Sequence, residues 1–594
     1  MTRSPKWSPR IAVLATTAAL VFAACGSSTA STAPSVAPAS ETPASEAPAS
    51  ASAEAFTPMV YPETGEAPCG QAAAPDATHG AYTGNFKKIT AVDAKTGVFD
   101  LCNPDVAFLA KVAFSSFAIN DTAWLQAKID PTKPDNQAIV SEVNGTGPYK
   151  LDSWNRGSDI TMVRNDNYWG TKALTDKLIF RWSSEAAQRL VELLSPTVDG
   201  IDNVGPTDFD TVKNNPDLQL KEREGLNTFY IGFNNTYAPF DNEKVRQAIA
   251  MGIDRQRIVD NFYPPGSSVA THFTPCAIPN GCAGEDWYEY DPAKAKQLLA
   301  DAGFPNGFDT VINYRDVVRG YLPDPKVVAT DIQAQLKANL GINAKIEVQE
   351  SGTFLDNAAA GKLTGIHLLG WGADYPDITN FLDYHFGAGA SKQFGNKFDD
   401  ITSALTTGGQ GANDDARKPA YEAANNAIKQ HVPMIPVAHG GSAVAYRADV
   451  ENAHASPLTS EYFAVMKPAD RTQFVFMQNA EPPGLYCADE TDGESLRVCE
   501  QMTESLYRYE VGGTAAVPAL ATECKPNAEL TQWTCTLHDG VTFHDGSTLD
   551  ANDVVMSYAV QWDADNPLHK GRTGDFTYFP GLFGGFLNPP VPAE

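Results

Sequence analysis

Eight cysteines spread along the body of this chain, Cys69, Cys102, Cys276, Cys282, Cys487, Cys499, Cys524 and Cys535, constrain its fold more than any other feature. An even set in an exported chain favours disulfides, and each bridge pins two backbone positions to within about 7 Å. The local pairs Cys276–Cys282, Cys487–Cys499 and Cys524–Cys535 are attractive and would leave Cys69–Cys102, although sequence alone does not fix the connectivity. A zinc site needs clustered Cys-x-x-Cys or Cys/His spacing, which is absent here, so no metal is expected.

The export reading comes from the N-terminus. Arg3, Lys6 and Arg10 precede an apolar run, Ile11 to Phe22, that is too short to span a bilayer comfortably. "AAC" follows and ends at Cys25. The small-small-Cys ending resembles a bacterial lipobox, with Phe22 where Leu is usual, and implies a signal over residues 1–25 with lipid on Cys25. The alternative is an ordinary signal cut nearby, with Cys25 lost. Residues 26–56 are nearly all Ser, Ala, Pro, Thr and Glu. Without aromatics or periodicity such a stretch cannot offset its ordering entropy by burial, so it reads as a disordered tether. Residues 57–83 are an N-terminal extension to the folded body.

The 594 residues include 44 Lys+Arg against 72 Asp+Glu, a net charge of −28. That balance argues against neutralising phosphates, so no nucleic acid is expected as a partner. Helix and strand signals alternate along the chain, which makes it α/β. Asp241–Tyr263 reads as one or two helices, with Val245, Ile249, Ile253 and Ile258 on one face. Asp291–Gly303 and Pro325–Gly341 each open with Pro at the first helical position and close at Gly. "INAKIEVQE" alternates as a strand, and "IHLLGWGADYPD" is a buried strand running into a Gly/Pro loop, where open α/β sheets place ligand contacts.

The stretch Leu537–Val555, "LHDGVTFHDGSTLDANDVV", holds two His-Asp-Gly triplets. Each Asp-Gly marks a turn in which Gly permits φ > 0, and no third ligand stands near His538 and His544, so both read as scaffold. A strand ends at the first triplet, a second short strand and turn follow, and Asp550 caps a helix carrying Val554, Val555 and Tyr558.

Thr536–Tyr558 is similar to the signature of the peptide-type solute-binding proteins of ABC importers, the oligopeptide/dipeptide-binding group. "GTGPYKLDSWNRG" with "VRNDNYWG" (Gly145–Gly170), "YIGFNNTYAPFDNEKVRQAIAMGIDR" (Tyr230–Arg255) and "GWGADYPDITNFL" (Gly370–Leu382) resemble three further motifs of that group. The resemblance runs from about Tyr82 to Asn588. Its order is rotated: the family's usual beginning resembles Arg471–Tyr486 and its usual end resembles Ser456–Pro468, here joined head to tail. The segments Gly584–Pro590 and Gly84–Thr96 are consecutive in the family. A circular permutation is therefore expected, with an assembly artefact as the alternative; permutation is tolerated where termini are surface neighbours and the new cut lies in a loop.

The resemblance implies a two-lobed periplasmic-binding-protein-like fold with an extra subdomain. The subdomain gathers 84–139 and 511–588, the hinge lobe 140–235 and 446–510, and the second ligand-binding lobe is 236–445. Cys524–Cys535 would staple the subdomain's opening hairpin, and Cys69–Cys102 would anchor the extension to it. It further implies a short peptide ligand, an ABC permease as partner, a monomer, an outer-face location on the cytoplasmic membrane, no cofactor and no catalytic residues.

A peptide carrier needs a carboxylate for the ligand's ammonium and a cation for its carboxylate, in a cleft that closes to exclude water. By resemblance Asp374 takes the first role and Arg319, in "YRDVVRGYLPDP", the second. Trp371 is a candidate pocket wall, Glu481 belongs to the strand end facing the cleft, and Tyr578 is a candidate cover. Two rivals remain: the same fold with an oligosaccharide, nickel-chelate, haem or opine cargo, and an exported hydrolase. The chain lacks Gly-x-Ser-x-Gly and His-Glu-x-x-His.

Overall fold

The computed structural model describes residues 56–70, 78–133, 136–223, 225–388 and 390–590. The expected signal, Cys25 and the tether up to residue 55 lie outside the described residues. Three sheets organise the rest, each beside its own apolar cluster.

The five-stranded sheet takes strands from both ends of the chain, in the order Val60–Tyr61, Phe86–Asp93, Thr96–Leu101, Gln532–Leu537, Ala521–Pro526. Along Gln532–Leu537 the alternation puts Trp533, Cys535 and Leu537 inside, and Trp533 stacks on Phe108 with ring centroids 4.9 Å apart. Asp550 caps the helix Ala551–Trp562 in a capping box closed by Asp553, and Val555, Tyr558 and Trp562 of that helix are fully buried. The second strand expected over "VTFHDG" reduces to one bridge, Thr542 to Thr548. Phe543 N donates to Ser547 O at 2.8 Å, so the loop folds back on itself too tightly to support a ladder. His544 serves as scaffold: Gly145 N donates to its Nδ1 at 3.3 Å, and its Nε2 lies 3.2 Å from Gly147 O.

Among the described residues four disulfides are present: Cys69–Cys102, Cys276–Cys282, Cys487–Cys499 and Cys524–Cys535. The first ties the N-terminal extension to the subdomain, where Val60–Tyr61 also pairs with the edge strand Phe86–Asp93.

The seven-stranded sheet takes most of its strands from the segments expected for the hinge lobe, in the order Tyr149–Asn155, Asp159–Arg164, Lys177–Trp182, Gln473–Gln478, Gly200–Ile201, Ser442–Arg447, Leu218–Arg223. Beside it four charges are buried together. Arg223 pairs with Asp202 at 2.8 Å and with Glu461 at 2.6 Å, and Arg497 pairs with Asp202 at 2.9 Å. All four side chains are at most 3% exposed.

The six-stranded sheet takes most of its strands from the segment expected for the second lobe, in the order Ser268–Val269, Met434–His439, Asn227–Phe233, Ile366–Gly372, Asp309–Arg315, Asn343–Gln349. Asp241–Tyr263 resolves into two helices, Glu243–Gly252 and Arg255–Phe262, because Asp254 caps the second. Helix Pro325–Leu340 starts at the Asp324 cap and stops at Gly341, whose φ of 71° is left-handed. The chain passes between the seven-stranded and six-stranded sheets between Arg223 and Asn227 and between His439 and Ser442. The strand Asn227–Phe233 belongs to the six-stranded sheet, because its pairing partners are Ile366–Gly372 and Met434–His439.

The two crossings are clamped to each other. Asn227 Nδ2 donates to Gly440 O at 2.6 Å, and Gly440 N donates to Asn227 Oδ1 at 2.8 Å. A side chain at 440 is excluded, since a Cβ there would sit 2.1 Å from Gly320 O.

Candidate functional site

The strands Asp309–Arg315 and Ile366–Gly372 are parallel neighbours, so the loops that leave them emerge at one end of the sheet. The first loop carries Arg319 and the second carries Asp374. This is the end of an open α/β sheet at which ligands are held.

Past Gly372 the chain turns through a single short 3₁₀ segment, Ile378–Asn380. Asp377 caps it by accepting from Thr379 N at 2.9 Å. Arg417, nearly fully buried, grips the same carboxylate with two bonds of 2.7 and 2.8 Å. Burial alone would raise the Asp377 carboxyl, but the Arg417 pairing outweighs it and holds the group below its ordinary value.

The turn brings Asn380 back under Asp374. Asn380 Nδ2 donates to Asp374 Oδ2 at 2.9 Å, while Asn380 Oδ1 accepts from Asp374 N at 3.0 Å and from Trp371 Nε1 at 3.2 Å. The Trp371 ring stacks on Tyr384, with centroids 4.2 Å apart. From the subdomain, Tyr578 OH donates to Asp374 Oδ1 at 3.1 Å. From the strand Tyr507–Tyr509, which follows the helix Gly493–Cys499, Tyr509 OH lies 3.3 Å from Asp374 O and 2.8 Å from Ala110 O. The adjoining Tyr375, 2% exposed, packs with Leu496, Tyr507 and Phe579 in the subdomain core. Asp374 thus stands where three parts of the chain meet. Burial pushes its carboxyl up to about 6, and the bonds from Asn380 and Tyr578 pull the other way. Burial also raises the Tyr384 phenol, to about 12, with the Asp374 charge adding to it. Tyr509 and Tyr578 are raised for the same two reasons.

Arg319 is exposed, its backbone bridged to Leu322 and its loop packed on the hinge through Gly320. It faces Glu494 of the hinge lobe: burial raises the Glu494 carboxyl, and the charges of Arg497 and Arg319 offset part of that rise. Glu481 is engaged elsewhere. It accepts from Trp154 Nε1 at 3.1 Å and from Gly157 N at 3.0 Å, which fastens the turn of the hairpin Tyr149–Arg164. A surface concavity of about 490 Å³, lined by Lys213, Leu218–Glu222 and Ala455, lies at the free edge of the seven-stranded sheet. Its lining shares no residue with the Asp374 cluster.

Residues 47–393 and 515–576 match the family of bacterial extracellular solute-binding proteins, family 5 middle. The chain belongs to this family. Members of it are solute carriers, not enzymes, and the architecture is that of the two-lobed periplasmic binding proteins of family 5. The chain is 32% identical over 360 residues to Heme-binding protein A of Haemophilus influenzae, a match spanning 60% of this chain and 64% of that protein. It is 30% identical over 395 residues to Di/tripeptide-binding protein 1 of Pseudomonas aeruginosa, spanning 63% of this chain and 70% of that one. Among solved structures it is similar to a dipeptide-binding protein of a Pseudoalteromonas species in complex with Met-Leu. That likeness has a TM-score of 0.57 and 25% identity, and it covers 64% of this chain and 74% of the other. No helix among the described residues is long and apolar enough to cross a membrane.

Of the residues singled out from sequence, the structure gathers Asp374, Trp371 and Tyr578 into one hydrogen-bonded cluster. It places Arg319 on the neighbouring loop, and Glu481 beneath a hairpin turn. Sequence reading passed over Asn380, Tyr384 and Tyr509. Asn380 lies inside the motif "GWGADYPDITNFL", and its signal was the Asp-x-x-Asn spacing of a turn that could fold back. Nothing local to "YRYE" marks Tyr509.

Proposed function

We propose that this protein is an extracytoplasmic substrate-binding lipoprotein of an ABC transporter, capturing short peptides by lobe closure and delivering them to a membrane permease. The supporting observation is the Asp374 carboxylate. It is half-buried, its side-chain partners Asn380 and Tyr578 are neutral, and a ligand's ammonium would supply the missing charge. Arg319, on the adjacent loop and exposed, would take the ligand's carboxylate, and Trp371 with Tyr384 would wall the first subsite. In this reading lobe closure removes water from both ion pairs and strengthens each. The di/tripeptide-binding relative supports a peptide cargo, while the relative named for haem supports the alternative of a non-peptide solute.

The test is to denature protein purified from its native host and identify what is released by mass spectrometry, then to titrate that compound, a di- and tripeptide set and haem back by calorimetry. Intact peptides recovered after binding support the carrier. Cleaved peptides would point to the hydrolase, and haem or sugar alone to the other cargo. Acylation of Cys25, measured by fatty-acid labelling with Cys25→Ser as control, tests the anchor.

The rotated segment order belongs to the same proposal. Asn85 N donates to Phe583 O at 2.6 Å, Thr83 Oγ1 to Gly584 O at 2.7 Å, and Gly80 N to Pro589 O at 3.0 Å. The segments around Gly84 and Gly585 thus lie side by side, where a join would restore the family's order. A chain joined from Gly585 to Gly84, opened between Pro468 and Arg471 and carrying Cys102→Ser, is expected to fold cooperatively and bind the same ligand. Failure of that chain to fold would count against a permutation.

A further inference from the structure

We infer that Asn380 is a positioning residue of the cleft, holding the Asp374 carboxylate ionised and aligned with Trp371 to receive an ammonium group. The inference rests on the reading of Asp374 given above.

Asn380 is 1% exposed, and three of its hydrogen-bonding positions meet the proposed ligand residues. Both lone pairs of its Oδ1 are taken, by Asp374 N and Trp371 Nε1, and one Nδ2 hydrogen goes to Asp374 Oδ2. The turn that presents it is rigid, because Asp377 caps it and Arg417 locks Asp377 from beneath. Orientation therefore passes from a buried ion pair, through one turn, to the carboxylate and the ring.

An amide is the side chain this geometry requires. It accepts from two N–H groups with one atom while donating to a carboxylate with the other. Asp at 380 would keep the acceptor and lose the donor; Leu would lose both. The donor matters because hydrogen bonds to the charged form oppose the effect of burial. Groups facing Asp374 from the other packed elements are phenols: Tyr578, Tyr509 on the backbone carbonyl, and Tyr384, all neutral donors between pH 5 and 9. Asp492 adjoins Thr491, whose carbonyl lies 3.4 Å from Tyr578 OH, and it adds negative charge on that side. Without Asn380 the carboxyl would keep its proton further into the neutral range, where a neutral acid is a poor partner for an ammonium.

The experiment is calorimetric titration with Ala-Ala-Ala and its N-acetyl form between pH 6.0 and 7.5. Wild-type protein is expected to bind the free-amine peptide at least about tenfold more tightly, a factor corresponding to about 1.4 kcal/mol. In Asn380→Leu the free-amine affinity should fall about thirtyfold at pH 6.0 and only about threefold at pH 7.5, with N-acetyl binding unchanged. Asn380→Asp, which keeps both Oδ1 contacts, should shift the profile in the same direction and decides the matter if the Leu variant does not fold. Equal losses at both pH values, or none, in a folded variant would overturn the positioning role. Failure of the wild type to distinguish the two peptides would overturn the Asp374 reading instead.

Discussion

The seven-stranded sheet and the proposed cleft both hold carboxylates partly or wholly away from solvent, and they satisfy them by different means. Asp202 and Glu461 sit among Arg223 and Arg497, two charges against two, in a network closed to solvent. Burial would raise Asp202, but Arg497 and Arg223 outweigh it and hold that carboxyl at about 2. Asp374 is met by an amide and a phenol, and burial leaves it at about 6. A charge-balanced network can be permanent. A carboxylate given only neutral donors retains electrostatic demand that a ligand can meet. Charge balance and burial differ together: Asp202 and Glu461 are almost fully buried in the structural cluster, while Asp374 in the proposed binding cluster is half-buried.

Removing one member of the balanced set should have the largest effect. Arg497→Met leaves Asp202 and Glu461 under-compensated and is expected to cost about 3–5 kcal/mol in denaturant unfolding. A loss below about 1 kcal/mol would erase the contrast from the hinge-lobe side. Asp374→Asn should act in two directions at once. Peptide affinity should drop at least about tenfold by calorimetry, while the ligand-free protein gains about 1–2 kcal/mol at pH 7.5, since a partly desolvated charge has gone. Unchanged affinity in a folded Asp374→Asn protein would end the assignment.

The pH dependence should run oppositely in the two regions. A raised carboxyl contributes stability that is present below its ordinary pKa near 4 and lost as pH rises through about 6. Ligand-free wild type should therefore gain about 1 kcal/mol more than Asp374→Asn on going from pH 7.5 to 5, read by unfolding at each pH. Asp202, held low, contributes stability that is present above its ordinary value and lost as pH falls toward 2. Glu481→Gln should have the smallest effect, under about threefold in affinity and under about 1 kcal/mol in stability, because its carboxylate serves a hairpin turn. A large affinity loss there would move Glu481 into the cleft.

Several local features were legible in the residues. The cap at Asp550, the Pro325 start, the Gly341 stop and the alternation of Trp533, Cys535 and Leu537 all follow from patterns shorter than a dozen residues. The "VTFHDG" strand was misjudged because a turn signal says where a chain reverses and not whether enough residues remain to pair. Which sheet Asn227–Phe233 joins was not legible, because it reads as a strand in either, and only its partners decide which.

By itself the sequence determined the family, the α/β class, the eight-cysteine set and the candidacy of Asp374 and Arg319, since each rests on residue types at short spacing. The tertiary structure decided what surrounds Asp374: Tyr509 and Tyr578 arrive from 135 and 204 residues away, and Asn380 by a turn. Periodicity reports only which face of an element is buried. It carries no record of which distant element covers that face, and the charge balance around a carboxylate depends on that covering element.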